Sequence, residues 1–70
     1  MTDWELLDKK IEASGLRKGY LYERTGMTRG RWHYLRSNNI DPTPTEIQKI
    51  CEALNIRSLK EKDQIFFAKL

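Results

Sequence analysis

The sequence predicts an all-α domain of five short helices, and three observations predict it. Apolar residues recur at three- and four-residue steps, as on one face of a helix. A threonine or serine followed three residues later by glutamate, the signature of a helix start, occurs at Thr2/Glu5, Thr43/Glu46 and Ser58/Glu61. Gly15 and Gly26 stand just past two of the periodic stretches, where a helix turns into a left-handed cap that glycine enters at no steric cost. Seventy residues, 1–70, hold a single domain in this reading, close to the size at which one core barely offsets chain entropy. Nearly every helix must therefore contribute apolar surface.

The first helix is expected to start near Asp3 under a Thr2/Glu5 capping box and to bury Trp4, Leu6, Leu7 and Ile11 as one stripe. Lys9 and Lys10 lie off that stripe, and a solvated face is favoured for them over a phosphate contact. After Gly15, Leu16 turns inward and a second helix spans Lys18–Thr25 with Leu21 on its buried side. Its start is poorly capped. Arg17 stands where serine or threonine is usual, and Gly19 costs up to about 1 kcal/mol of helix propensity. A helix N-terminus aimed at a phosphate recovers part of that loss, and Arg17 and Lys18 add two cations at the same place. Tyr20 and Tyr22 cannot both lie under Leu21, so at least one is partly exposed.

Gly26 makes a corner, Met27 packs behind it, and Thr28 is the N-cap of a third helix over Arg29–Ser37. Two helices joined so tightly form a helix-turn-helix. Trp32 and Leu35 hold the third helix to the core, which leaves Arg29, Gly30, His33 and Tyr34 on the outward side. Residues 16–36 contain six basic side chains (Arg17, Lys18, Arg24, Arg29, Arg31, Arg36) and one acidic, Glu23, hence +5 in a chain whose formal total is +3. That concentration of charge suits a surface that meets phosphates.

A helix in the major groove reads bases mainly from its first turn and one turn further on, and arginine with guanine is the commonest specific pair. Arg29 is the leading base-contact candidate. Gly30 either lets the backbone approach the groove floor or is a weak spot in the helix, and His33 either meets DNA or is a solvated histidine without a role. Tyr34 is placed to reach a thymine methyl or a phosphate, while Arg31 and Arg36 are assigned to the DNA backbone.

Ser37 and Asn38 open a polar turn, residues 37–42, in which a phosphate beside the third helix can be gripped. Pro44 at the first helical position starts a fourth helix, a core element carrying Ile47, Ile50, Cys51 and Leu54. Ser58 and Glu61 start a fifth that runs through Asp63 to the C-terminus. Ile65, Phe66 and Phe67 are consecutive and cannot all face one core. With Leu70 they form either a dimer surface or a tail that wraps the first helix and Trp4.

Composition narrows the function classes. With 39% hydrophobic and 33% charged residues the chain should fold, and it has no run approaching the roughly 18 apolar residues of a membrane span. The N-terminus lacks the basic and apolar regions of a signal peptide, so the cytoplasm is the default location. Cys51 and His33, each the only residue of its kind, build no ordinary metal site, and Cys51 reads as a buried structural thiol. No nucleophile with a base and an orienting group is present, which disfavours an enzyme. No cofactor, small-molecule ligand or membrane partner is expected.

Several segments together resemble the phage repressor and Cro-like, or Xre-like, helix-turn-helix regulators. They are Ser14-Gly15-Leu16, Leu21, Glu23-Arg24, Gly26-Met27-Thr28-Arg29, Leu35, Pro44-Thr45-Glu46, the run from Ile50 to Ile56, and Ile65-Phe66-Phe67. The resemblance implies a five-helix lambda-repressor-like fold and a sequence-specific regulator of double-stranded DNA, of phage or mobile-element type, that acts by operator occupancy as a homodimer. It implies base contacts from Thr28, Arg29, Gly30, His33 and Tyr34. Phosphate contacts would come from Arg17, Lys18, Arg31, Arg36, Ser37 and Asn38. Two departures add bulk: Tyr22 stands where the family usually has alanine, and Trp32 where it has isoleucine or valine. The helices must then splay, or Tyr22 must lean out. The rival reading is a protein-interaction module, antitoxin-like or antirepressor-like, that keeps the fold and uses the greasy last helix. An RNA-binding module is weaker, because the aromatics form no strand platform.

Overall fold

The computed structural model describes residues 1–68. It contains α1 (Trp4–Ser14), α2 (Lys18–Thr25), α3 (Arg29–Ser37), α4 (Pro44–Ala53) and α5 (Leu59–Phe66). Each start but one is fixed by a side chain that takes up a free amide. Thr28 accepts from the Arg31 amide, and Thr43 and Glu46 form a complete capping box with Pro44 in the first turn. Ser58 accepts from the Glu61 amide. The expected box at α5 is only half made, because the Glu61 carboxylate is drawn 2.8 Å from the Lys10 ammonium instead. Arg17, before α2, makes no capping bond.

The start of α1 differs from expectation. Asp3, not Thr2, is the N-cap, its carboxylate accepting from the Leu6 amide at 3.0 Å. An aspartate caps as well as threonine and adds a negative charge at the positive end of the helix. Thr2 is meanwhile committed elsewhere: it is buried, and its amide donates to Asp41 at 2.6 Å. The segment before α1 is clasped to the end of the chain, with the Asp3 amide donating to the Ile65 carbonyl and the Ala68 amide to that of Met1.

One cluster of buried side chains joins all five helices: Trp4 and Leu7, Leu21, Trp32 and Leu35, Ile47, Ile50 and Cys51, Ile65 and Phe66, with Met27 from the corner. Each large member contributes about 1.5–3 kcal/mol by leaving water. Burial pushes the Cys51 thiol above its ordinary value, as for a packed, inert sulfur. The consecutive apolar residues at the end of the chain are sorted by their helical phase. Ile65 and Phe66 are 0% and 1% exposed, and α5 packs on α1, so the expectation that these two form a dimer surface is corrected: they close the chain's own core. Phe67 faces outward at 57% exposure, and α5 ends at Phe66 rather than running on. Leu70 lies outside the described residues.

Candidate nucleic-acid interface

The corner between α2 and α3 is built from short-range bonds. Thr25, fully buried, donates its hydroxyl hydrogen to the Leu21 carbonyl at 2.7 Å and accepts from the Met27 amide. Gly26 follows with φ at 69°. A Cβ there would come no nearer than 3.7 Å to another atom, the Lys49 ammonium. Space is therefore not what demands glycine; the left-handed backbone is. Gly26→Ala is expected to lower unfolding free energy by about 1–2 kcal/mol, measured by denaturant titration, with no loss of helix content in the folded state.

Behind the corner, α2 packs on α4. The third helix is held from below by Trp32 and Leu35, 2% and 0% exposed. The added bulk of Trp32 is taken up by an edge-to-face contact with Trp4, ring centroids 6.3 Å apart at 77°. Tyr22 is half-buried against the core cluster and lines, with Ile11, Leu16 and Trp32, a cleft of about 520 Å³. The motif thus accommodates both departures, Tyr22 half-buried beside the cleft and Trp32 packed edge-to-face on Trp4.

On the outward side, Arg29, Gly30, His33 and Tyr34 are all exposed. Arg29 makes no ion pair among the described residues. His33 has only a long contact, 3.4 Å, with the Ser37 hydroxyl one turn on. Thr28 is exposed, but its hydroxyl oxygen is occupied as the cap of α3. Arg17 and Lys18 are exposed at the uncapped start of α2, free of carboxylate partners among the described residues. Ser37 and Asn38 are exposed at the far end of α3, with one amide hydrogen of Asn38 turned back to the Tyr34 carbonyl at 2.8 Å.

Two of the arginines assigned to phosphates are engaged inside the protein. Arg31 makes a bidentate pair with Glu46, Nε to Oε2 and Nη2 to Oε1 each at 3.0 Å. Glu46 Oε1 also accepts from the Thr43 amide at 2.8 Å, so one carboxylate caps α4 and grips α3. The Arg31 guanidinium, followed by the Thr43 amide, holds the Glu46 carboxyl below its ordinary value against the opposing effect of burial. A depressed carboxyl gives stability above the unfolded value, near 4.5, which is lost as pH falls through the folded one. Glu46→Gln should accordingly flatten the acid limb of a stability curve below about pH 4.5 and leave its shape near neutrality unchanged. Arg36 pairs with Asp8 of α1 and lies over the Trp4 ring, 5.8 Å from its centroid.

The helical periodicity that located α3 gives no sign of these pairs, which join residues 15 and 28 apart in the chain. Sequence reasoning counted Arg24 among the basic residues but missed its pairing with Tyr20, over whose exposed ring it lies at 5.8 Å. That pair occupies an i, i+4 spacing and was open to detection. Among the described residues no helix is long and apolar enough to cross a membrane.

No curated protein and no solved structure matches this sequence. A family model does: the Cro/C1-type HTH DNA-binding domain matches residues 6–61, from the first turn of α1 into the first turn of α5 and across the whole corner just described. With the free outward face of α3 and the five-helix frame behind it, the chain belongs to the Cro/C1-type helix-turn-helix DNA-binding domain family.

Proposed function

We propose that this protein is a sequence-specific regulator of double-stranded DNA, of phage or mobile-element type, that works by occupying an operator as a homodimer. The observation that carries this reading is the division of α3 into two sides. One is locked into the core by Trp32 and Leu35, and the other presents Arg29, Gly30, His33 and Tyr34 unpaired or nearly so. Side chains without protein partners, on a short rigid helix beside two free cations, are what base readout with phosphate anchoring needs. Arg29 and Tyr34 read bases, Arg17 and Lys18 grip a phosphate at the start of α2, and Ser37 and Asn38 hold the backbone beyond α3. Leu59 on α5 and Phe67 just past its end, 75% and 57% exposed, supply the apolar part of the dimer contact.

Gly30 gives a separate test. A Cβ at Gly30 would meet nothing nearer than 3.9 Å, so the free protein gains from Gly30→Ala by about 0.5–1 kcal/mol of helix propensity. If the backbone of α3 sits close to the groove floor, the same variant binds operator more weakly while melting at a higher temperature.

The deciding experiment is selection from random duplexes at two salt concentrations. A pseudo-palindromic motif with half-sites about one helical turn apart supports the operator reader and the dimer together. Salt-sensitive binding without a motif removes sequence specificity from the reading. Absence of binding at both concentrations transfers the function to the protein-interaction module, for which the exposed Leu59 and Phe67 are the favouring feature.

A further inference from the structure

Arg31 and Arg36 stand on either side of the buried stripe of α3. At about 100° per residue they are separated by roughly 140° around the helix axis, with Trp32 and Leu35 between them. Each is tied to a different neighbour, Arg31 to Glu46 of α4 and Arg36 to Asp8 of α1. Two attachments on opposite flanks resist rolling of the helix in both directions, whereas the stripe alone is a greasy pivot. Roll matters more here than distance, because it decides which of Arg29, His33 and Tyr34 points at the groove floor. Cost and benefit also agree in sign. Both pairs are partly exposed, with side chains between 18% and 46% accessible, so they add little stability by themselves. The bidentate Arg31 pair nevertheless fixes an orientation, which a single contact does not.

We infer that Arg31 and Arg36 are positioning residues: through Glu46 and Asp8 they set the roll of the recognition helix, and so the sequence preference of the protein, instead of neutralising DNA phosphates. The inference rests on the DNA-binding reading above. It reassigns two of the six cations of residues 16–36 from the DNA backbone to the protein, leaving Arg17, Lys18, Arg24 and Arg29 to meet the duplex.

The test uses Glu46→Gln and Asp8→Asn in the full chain, because both variants keep the shape of the side chain and leave the helix-turn-helix itself untouched. Glutamine at the third position of α4 still serves the capping box, so Glu46→Gln folds. Affinity is measured for the selected operator and for a scrambled duplex, over a range of salt, after thermal melting has shown each variant folded at the assay temperature. Each substitution removes a negative charge. Simple electrostatics therefore predicts tighter binding to both duplexes and, with an arginine freed for phosphate, a salt slope steeper by about 0.9. Positioning predicts the opposite for the operator: its affinity relative to scrambled DNA falls on the order of 10-fold, a fraction of the discrimination that one good base contact supplies. Arg31→Gln should then lower the same ratio without shallowing the slope, and Arg31→Gln/Glu46→Gln should be no worse than Arg31→Gln alone. Operator and scrambled affinities rising together, or a slope that drops by about 0.9 in Arg31→Gln, would overturn the inference. The DNA-binding reading fails separately, if the unsubstituted protein shows no salt-sensitive affinity for any duplex.

Discussion

Phe66→Ala should remove about 3–5 kcal/mol of stability, whereas Phe67→Ala, one residue further on, should leave stability within about 0.5 kcal/mol. The two side chains have the same chemistry and neighbouring places in the sequence, but Phe66 is 1% exposed and Phe67 57%. Truncating Phe66 opens a cavity between α5 and α1, next to the clasp in which the Ile65 carbonyl accepts from the Asp3 amide. A 70-residue domain sits at the low end of the usual 5–15 kcal/mol, so a loss of this size leaves it largely unfolded at 37 °C. Denaturant unfolding followed by the fluorescence of Trp4 and Trp32, both in the core, reports it directly. On the dimer proposed above, Phe67→Ala should instead read out in self-association, as a weaker dimer in sedimentation equilibrium at unchanged melting temperature. A midpoint unmoved by Phe66→Ala would show that α5 does not close the core.

That contrast marks the limit of what the residues alone reveal. The bounds of α2 and α3 are legible because their signals are local: Gly26 in the left-handed region, Thr28 as cap, and an apolar pair three apart. The start of α4 is legible for the same reason, since Thr43, Pro44 and Glu46 are enough to define it. Where two local solutions compete, tertiary contacts decide. Thr2 and Asp3 can each cap α1, and the choice falls to Asp3 because the Thr2 amide is claimed by Asp41, 39 residues away. Ile65, Phe66 and Phe67 are equivalent by composition, and only the phase of α5 against α1 separates two core residues from one surface residue. At the site, the outward set of α3 follows from periodicity, but the partners of Arg31 and Arg36 do not. A cation on the flank of a helix can turn toward DNA or toward a neighbouring carboxylate, and the sequence holds no record of which helix is adjacent.

Arg29→Ala should cut discrimination between operator and random DNA by about 1–3 kcal/mol, or roughly 5- to 150-fold, while binding to random duplex falls little. Arg29 is exposed at the first residue of α3, and unlike Arg31, two residues on, it has no carboxylate partner among the described residues, so its guanidinium is not already spent within the protein. Alanine also favours helix, so α3 should form as before and the loss should not come from unfolding. Lys18→Ala supplies the contrast. Its ammonium stands at the uncapped N-terminus of α2, where free amides and a point charge both favour an anion whatever base it belongs to. That variant should weaken operator and random DNA alike and make the dependence of log affinity on log salt shallower by about 0.9, from an expected slope near −4 to −5. The pair of measurements separates reading from holding. Equal losses from both variants on both duplexes would mean that Arg29 acts as one more phosphate cation, and base readout would then have to come from His33 and Tyr34 alone.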